Sequence, residues 1–189
     1  MEKIILASGS PRRKQLLEWA EVKFEVLVKE TSETFPPGMP TAEVPVHIAR
    51  NKALAVKEAA GPDRVILAAD TVVVLGEEII GKPADREDAI KILSKLSGQR
   101  HEAITGVVLL RGEEELAFYD RTAVWFHPLD RAELEGYVDR YRPYDKAGAY
   151  AIQEWIGVVG IKGIEGDFYN VMGLPVSRVV RALRAWGVA

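Results

Sequence analysis

The apolar positions of this chain change period several times along its length. Lys3 to Ala7 is a short apolar run that reads as a strand, and Ser8-Gly9-Ser10 ends it. From Ser10-Pro11 onward, Leu16, Leu17 and Ala20 fall at helical spacing. Thr31 to Pro45 is rich in Pro, Thr and Glu and reads as loop, and Val46 to Ala60 reads as a helix ended by Gly61-Pro62. Arg64 to Leu75, RVILAADTVVVL, is a β-branched strand run interrupted only by Asp70-Thr71. A helix over Asp85 to Leu96 follows, with Gly98 beyond its end. Ala103 to Leu110 and Leu116 to Phe126 then predict an antiparallel hairpin joined through Arg-Gly-Glu-Glu-Glu. Leu129 to Tyr141 reads as a helix, Tyr144 to Gln153 as a loop or short strand, Ile156 to Ile161 as a strand, and Pro175 to Trp186 as a closing amphipathic helix.

Strands that first alternate with helices and later pair with their neighbours predict an α/β fold, a mixed twisted sheet flanked by helices. With 189 residues, 48% of them apolar, and neither internal repeat nor linker, residues 1–189 are expected to form a single domain. A net charge of −3 without a basic stripe argues against a nucleic-acid polymer as partner, so an anionic ligand must be met by local charge. The absence of cysteine excludes disulfides and thiolate chemistry. Apolar runs of strand length and no signal-like start give the expectation of a soluble cytoplasmic protein with no membrane partner.

Two places break the local rules. Ser10 and Pro11 specify a helix start, yet Arg12 and Arg13 stand in its first turn, where cations are unfavourable by about 0.3–1 kcal/mol. Either the arginines are solvated and the serines merely cap, or Ser8, Ser10, the amides around Gly9 and two guanidinium groups cradle a polyphosphate. Asp70 is the second break. A carboxylate inside ILAADTVVV is costly when buried alone, so it lies at the strand's end facing a cleft, is compensated by a cation, or is a helix-cap or turn aspartate where Asp-Thr ends the strand. Glu33, Lys52 and Lys82 are ordinary charges when taken singly, and His47, His101 and His127 have no metal-ligand spacing.

Taken together, SGSPRR with the following QLLE, AADTVV, Gly81-Lys82-Pro83, LSGQRHEAITGV, DKAGAYAIQ and NVMGLPVSRV resemble the Maf family of nucleoside triphosphate pyrophosphatases, in order and over nearly the whole chain. The resemblance implies a fold akin to the inosine triphosphate pyrophosphatases, with two lobes around a nucleotide cleft. It also implies hydrolysis of a nucleoside triphosphate to the monophosphate and pyrophosphate with a divalent cation, Mg2+ or Mn2+. Carried over by position, Ser8, Arg12 and Arg13 hold phosphates, Glu33 and Asp70 handle metal and water, and Lys52 and Lys82 contact the polyphosphate. Asp70 is the implied proton acceptor.

Arg12, Thr71, Lys146 and Gln153 resemble the branch acting on dTTP and UTP rather than the one that prefers 7-methyl-GTP. The usual Gly-Ile-Gln-Gly reads Ala151-Ile152-Gln153-Glu154 here, a departure that keeps Gln153. Its amide can pair with the carbonyl and imide edge that uracil and thymine share. Family likeness also implies a homodimer. The competing classes are a pyrophosphatase for 7-methyl-GTP or another modified nucleotide, and a nucleotide-binding regulator of septum formation. The joint presence of Glu33 and Asp70 favours the enzyme, because binding alone does not need both carboxylates.

Overall fold

Helix α2 (Val44–Ala60) shows how the first part of the chain closes on itself. Its buried Ala49, Ala53 and Val56 recur at helical spacing and pack on Ile5 and Ala7, on Ile66 and Ala68, and on Val108 and Leu110. The small residues let the helix approach the strands closely. Gly106 serves the same end, since a Cβ there would lie 2.2 Å from the backbone nitrogen of Val46.

In the computed structural model, which describes residues 3–188, the chain order is β1 (Ile4–Leu6), α1 (Pro11–Trp19), β2 (Phe24–Val26), α2, β3 (Ile66–Leu75), β4 (Glu78–Ile80), α3 (Arg86–Leu96), β5 (Arg100–Arg111), β6 (Glu114–Phe126), α4 (Arg131–Tyr141), α5 (Trp155–Gly160), β7 (Ile161–Glu165), α6 (Phe168–Met172) and α7 (Val176–Ala185). The seven strands form a mixed sheet in the order β2-β1-β3-β5-β6-β7, with β4 on β3, flanked by helices. β1 pairs in parallel with β2 and β3, while β4 on β3 and β7 on β6 are antiparallel. The chain divides into two compact units: Met1–Thr71 with Thr105–Asp120 and Gly173–Ala189, and Val72–Ile104 with Arg121–Met172. The boundary in β3 falls between Thr71 and Val72.

The first unit holds β1, α1, β2, α2 and α7, and its core is the strand cluster under α2. Truncation of a residue such as Ile66, which is 2% exposed, to alanine is worth about 2–5 kcal/mol. In the second unit α3 and α4 pack on each other, and α4 begins with a reciprocal capping box between Asp130 and Glu133. A buried aromatic group also sits here. His101 stands edge-on to Phe126 with ring centroids 5.0 Å apart, and its Nε2 lies 2.6 Å from the Tyr150 hydroxyl, while Nδ1 is buried without a hydrogen-bond partner.

Ile156 to Ile161 is not the expected strand. Trp155–Gly160 is helical, and the strand starts only at Ile161. The β-branched composition is overridden by packing: Ile156 and Gly160, four positions apart, are buried, whereas Val158 is 81% exposed. A Cβ on Gly157 would come within 1.7 Å of the Ile152 carbonyl oxygen, so glycine is what allows the turn. β2, β4 and α6 are short elements beyond the periodicity reading, and α2 starts at Val44 rather than Val46.

Burial, and then Arg100, pushes His101 from the usual 6.5 down to about 4, so the folded protein holds it neutral where the unfolded chain protonates it. Its contribution to stability is therefore complete above pH 6.5 and is lost as the pH falls toward 4. By pH 4 that loss amounts to about 3 kcal/mol, and urea titrations of His101→Gln between pH 7 and 4 should show a correspondingly shallower decline than the parent protein. Identical pH slopes in the two proteins would show that His101 does not resist protonation.

Candidate active site

Strand β3 hands consecutive residues to helices on its two sides. Side chains alternate along a strand, so Asp70 shares the face of Ile66 and Ala68, which packs on α2, and Thr71 takes the other face. The contacts follow that alternation. Lys52 of α2 donates from Nζ to Asp70 Oδ1 at 2.7 Å, and Arg13 of α1 donates from a terminal nitrogen to Thr71 Oγ1 at 3.0 Å.

The lysine has a second acidic partner. Glu33, from the loop before α2, accepts from the same Nζ at 3.0 Å. Asp70 and Lys52 side chains are 13% and 19% exposed, whereas Glu33 is 47% exposed, so the acidic pair runs from near the core to solvent. At such burial an aspartate left alone is costly, and the adjacent ammonium is what makes it tolerable.

Arg13 resolves the misplaced charge at the start of α1. Its side chain turns inward: Nε donates to the Gly173 carbonyl at 2.7 Å, one terminal nitrogen donates to Ser8 Oγ at 3.2 Å, and the other reaches Thr71. Ser8 Oγ also accepts the Ser10 N–H at 3.3 Å, and Thr71 Oγ1 lies 2.9 Å from Thr105 Oγ1. Burial lowers the Arg13 pKa; Asp70 and Glu33 oppose that shift and Arg12 adds to it. Arg13 thus ties the Ser-Gly-Ser turn, β3 and Gly173 into one frame, while Arg12 on the same turn stays partly exposed.

Lys82, Lys146 and Gln153 belong to the second unit. Lys82 is exposed in the turn after β4, and that turn is joined to the later loop by a hydrogen bond from Gly148 N–H to the Gly81 carbonyl at 3.1 Å. Lys146 lies 2.8 Å from Asp145 and 3.8 Å from Glu154. From Gly148 to Ile152 every residue is buried, and Gln153 is then exposed. The first unit therefore groups Ser8, Arg13 and Thr71 around one guanidinium and Glu33, Lys52 and Asp70 around one ammonium, and the second presents Lys82, Lys146 and Gln153 on linked turns.

The profile of the Maf family, described as Maf-like protein, matches residues 3–186. This chain belongs to the Maf family. Among similar proteins, one from Cytophaga hutchinsonii named dTTP/UTP pyrophosphatase is 52% identical over 180 residues, covering 95% of this chain and 82% of the relative. One of the same name from Bacillus cereus is 44% identical over 188 residues, covering 100% of this chain and 97% of the relative. The solved structure of the Staphylococcus aureus Ham1 protein is similar with a TM-score of 0.46 and 15% identity, over 66% of this chain and 72% of that one.

In this Maf chain no set of three or more His, Asp or Glu side chains gathers into a metal centre among the described residues. Glu33 and Asp70, the two carboxylates on the Lys52 ammonium, are the residues that would hold a hard divalent cation, since Mg2+ is commonly bound by a carboxylate or two together with substrate phosphates. Thr105 and Gly173 complete the Arg13 frame without any signal in the sequence pattern. Gly173 lies within the NVMGLPVSRV motif, but a backbone carbonyl acceptor leaves no mark on residue type.

Arg13→Lys keeps the charge but cannot reach three acceptors with one nitrogen. It should lower the unfolding free energy by about 1–3 kcal/mol, as measured by urea denaturation, with Arg12→Lys changing it far less. Equal effects of the two substitutions would remove Arg13 from the frame.

Proposed function

We propose that this Maf chain hydrolyses dTTP and UTP to the nucleoside monophosphate and pyrophosphate. The observation that carries the reading is the pair of carboxylates, Asp70 and Glu33, meeting the Lys52 ammonium at 2.7 and 3.0 Å, in a chain whose family relatives are named for that activity. Glu33 and Asp70 hold Mg2+ or Mn2+ in this reading. When bound, the cation neutralises phosphate charge and makes water more acidic.

The chain's own groups divide the remaining work. Asp70 orients the attacking water and accepts its proton as the new bond to the α-phosphorus forms and the bond to the β-phosphate oxygen breaks. Lys52 fixes Asp70 and, with more N–H donors than these two acceptors use, has one for a phosphate oxygen. Arg12 and Lys82 offset the charge that develops on the departing pyrophosphate, and Ser8 offers its hydroxyl to the same oxygens. Arg13 acts mainly by positioning Ser8 and Thr71. Gln153 and Lys146 serve the nucleoside end, Gln153 by pairing with the edge common to uracil and thymine. A cytoplasmic location and a homodimer complete the reading on family likeness.

Asp70→Asn keeps shape and removes the base, so kcat for dTTP should drop by about two to four orders of magnitude with KM changed only a few-fold. Near-parental turnover of that variant, followed by pyrophosphate release, would overturn the role. Gln153→Ala should lower the preference of kcat/KM for dTTP over dCTP by about tenfold. Turnover of the parent protein on a panel of triphosphates with Mg2+ or Mn2+ should stop on chelation and return with either ion, and equally poor hydrolysis of every nucleotide would sink the substrate assignment.

A further inference from the structure

The exposed Gln153 is the last residue of a segment clamped at both ends by one tyrosine. Tyr137 lies on α4 and is 2% exposed. Its hydroxyl oxygen accepts the Ala151 N–H at 3.1 Å, and its O–H donates to Glu154 Oε2 at 2.5 Å. Ala151 and Glu154 are the residues that bound Ile152 and Gln153, and the Glu154 N–H closes the same short loop on the Ala151 carbonyl at 3.1 Å. Burial first, and then the bond to Glu154, raise the pKa of the Tyr137 hydroxyl, so it remains a neutral donor.

The rest of the segment is held equally closely. Tyr150 is anchored on His101, Ile152 is buried with its carbonyl against Gly157, and Lys146 stands between Asp145 and Glu154. With its neighbours fixed, Gln153 has little freedom beyond its own side-chain rotations. The Glu154 carboxylate is thus a side-chain tether on the residue that follows Gln153.

We infer that the Tyr137–Glu154 hydrogen bond is a specificity-determining positioning device: it fixes the Ala151–Glu154 turn, and so sets where the Gln153 amide meets the pyrimidine edge. The inference rests on the assignment of Gln153 as the base-reading group. Neither Tyr137 nor Glu154 touches the reacting atoms in this account. Their loss therefore acts on nucleotide choice through Gln153 and leaves the Asp70–Lys52–Glu33 contacts in place.

The test is the ratio of kcat/KM for dTTP to that for dCTP, which is independent of the fraction of enzyme that is folded. Tyr137→Phe removes both hydrogen bonds and Glu154→Ala removes the acceptor, and each should reduce the ratio about fivefold. Glu154→Gln retains an acceptor and should keep the ratio within about twofold of the parent. Glu154 is partly exposed, so its variants remain informative where Tyr137→Phe folds poorly. A ratio unchanged in Glu154→Ala, in an enzyme whose ratio collapses in Gln153→Ala, overturns the positioning role and leaves the base-reading assignment intact. A ratio unchanged in Gln153→Ala overturns that assignment, and this inference with it.

Discussion

Lys52 is what makes a carboxylate tolerable inside β3. An aspartate in the middle of a strand that is otherwise Ile, Leu, Ala and Val carries a desolvation cost of several kcal/mol, and one ammonium at 2.7 Å offsets it. The match depends on register. Ala49, Ala53 and Val56 fix the rotation of α2 on the strands, which brings Lys52, next to Ala53, to Asp70. Small core residues thus have a consequence at the site: with larger ones α2 would stand further from β3, and the lysine would have to span a longer gap.

The same strand governs the other group. Because side chains alternate, a carboxylate followed by a hydroxyl places acid on the α2 side and Thr71 on the α1 side. Arg13 uses that hydroxyl, together with Ser8 and the Gly173 carbonyl, as a buried three-point attachment. The cost of a cation in the first helical turn is thereby offset by directed hydrogen bonds and by the field of Asp70 and Glu33. The two arginines at the start of α1 are consequently unlike one another. Only Arg12 keeps appreciable exposure at the turn, although both have the same place in the sequence motif.

Elements set by local chemistry were legible in the sequence. Ser10-Pro11 marked the start of α1, Gly61 the end of α2, and the long apolar runs gave β3, β5 and β6. Asp70 stood out because it violated the pattern around it, and a compensating cation was one of the resolutions that electrostatics offered, beside a cleft-facing position and a cap or turn. Which cation met it was not legible: the pairing with Lys52 spans 18 positions and depends on how α2 is rotated. The destinations of Arg13 were hidden for the same reason, one of them being a backbone carbonyl 160 residues away. α5 has the composition of a strand because Val158 and Val159 carry strand propensity while lying exposed on a short helix whose inward face is Ile156 and Gly160. The role of Glu154 was invisible because its partner Tyr137 looks like any other core aromatic of α4.

The loop that ends at Gln153 carries a conformational cost, and that cost bears on what the loop is for. Gly148 and Ala149 both adopt left-handed backbone, with φ of 72° and 59°, and at alanine this costs about 1 kcal/mol. The structure maintains it with specific restraints: Gly148 N–H on the Gly81 carbonyl, Ala149 N–H on the Lys146 carbonyl, the Tyr150 hydroxyl on His101, and Tyr137 on both Ala151 and Glu154. Val73 fills the space that a Cβ on Gly148 would need, which makes the first left-handed position glycine on packing grounds as well. Strain held in place by so many contacts, over a stretch that is buried from Gly148 to Ile152 and ends on the exposed Gln153, lowers the conformational entropy of that side chain's backbone at the folding step, so a ligand that meets the amide does not have to order the loop again.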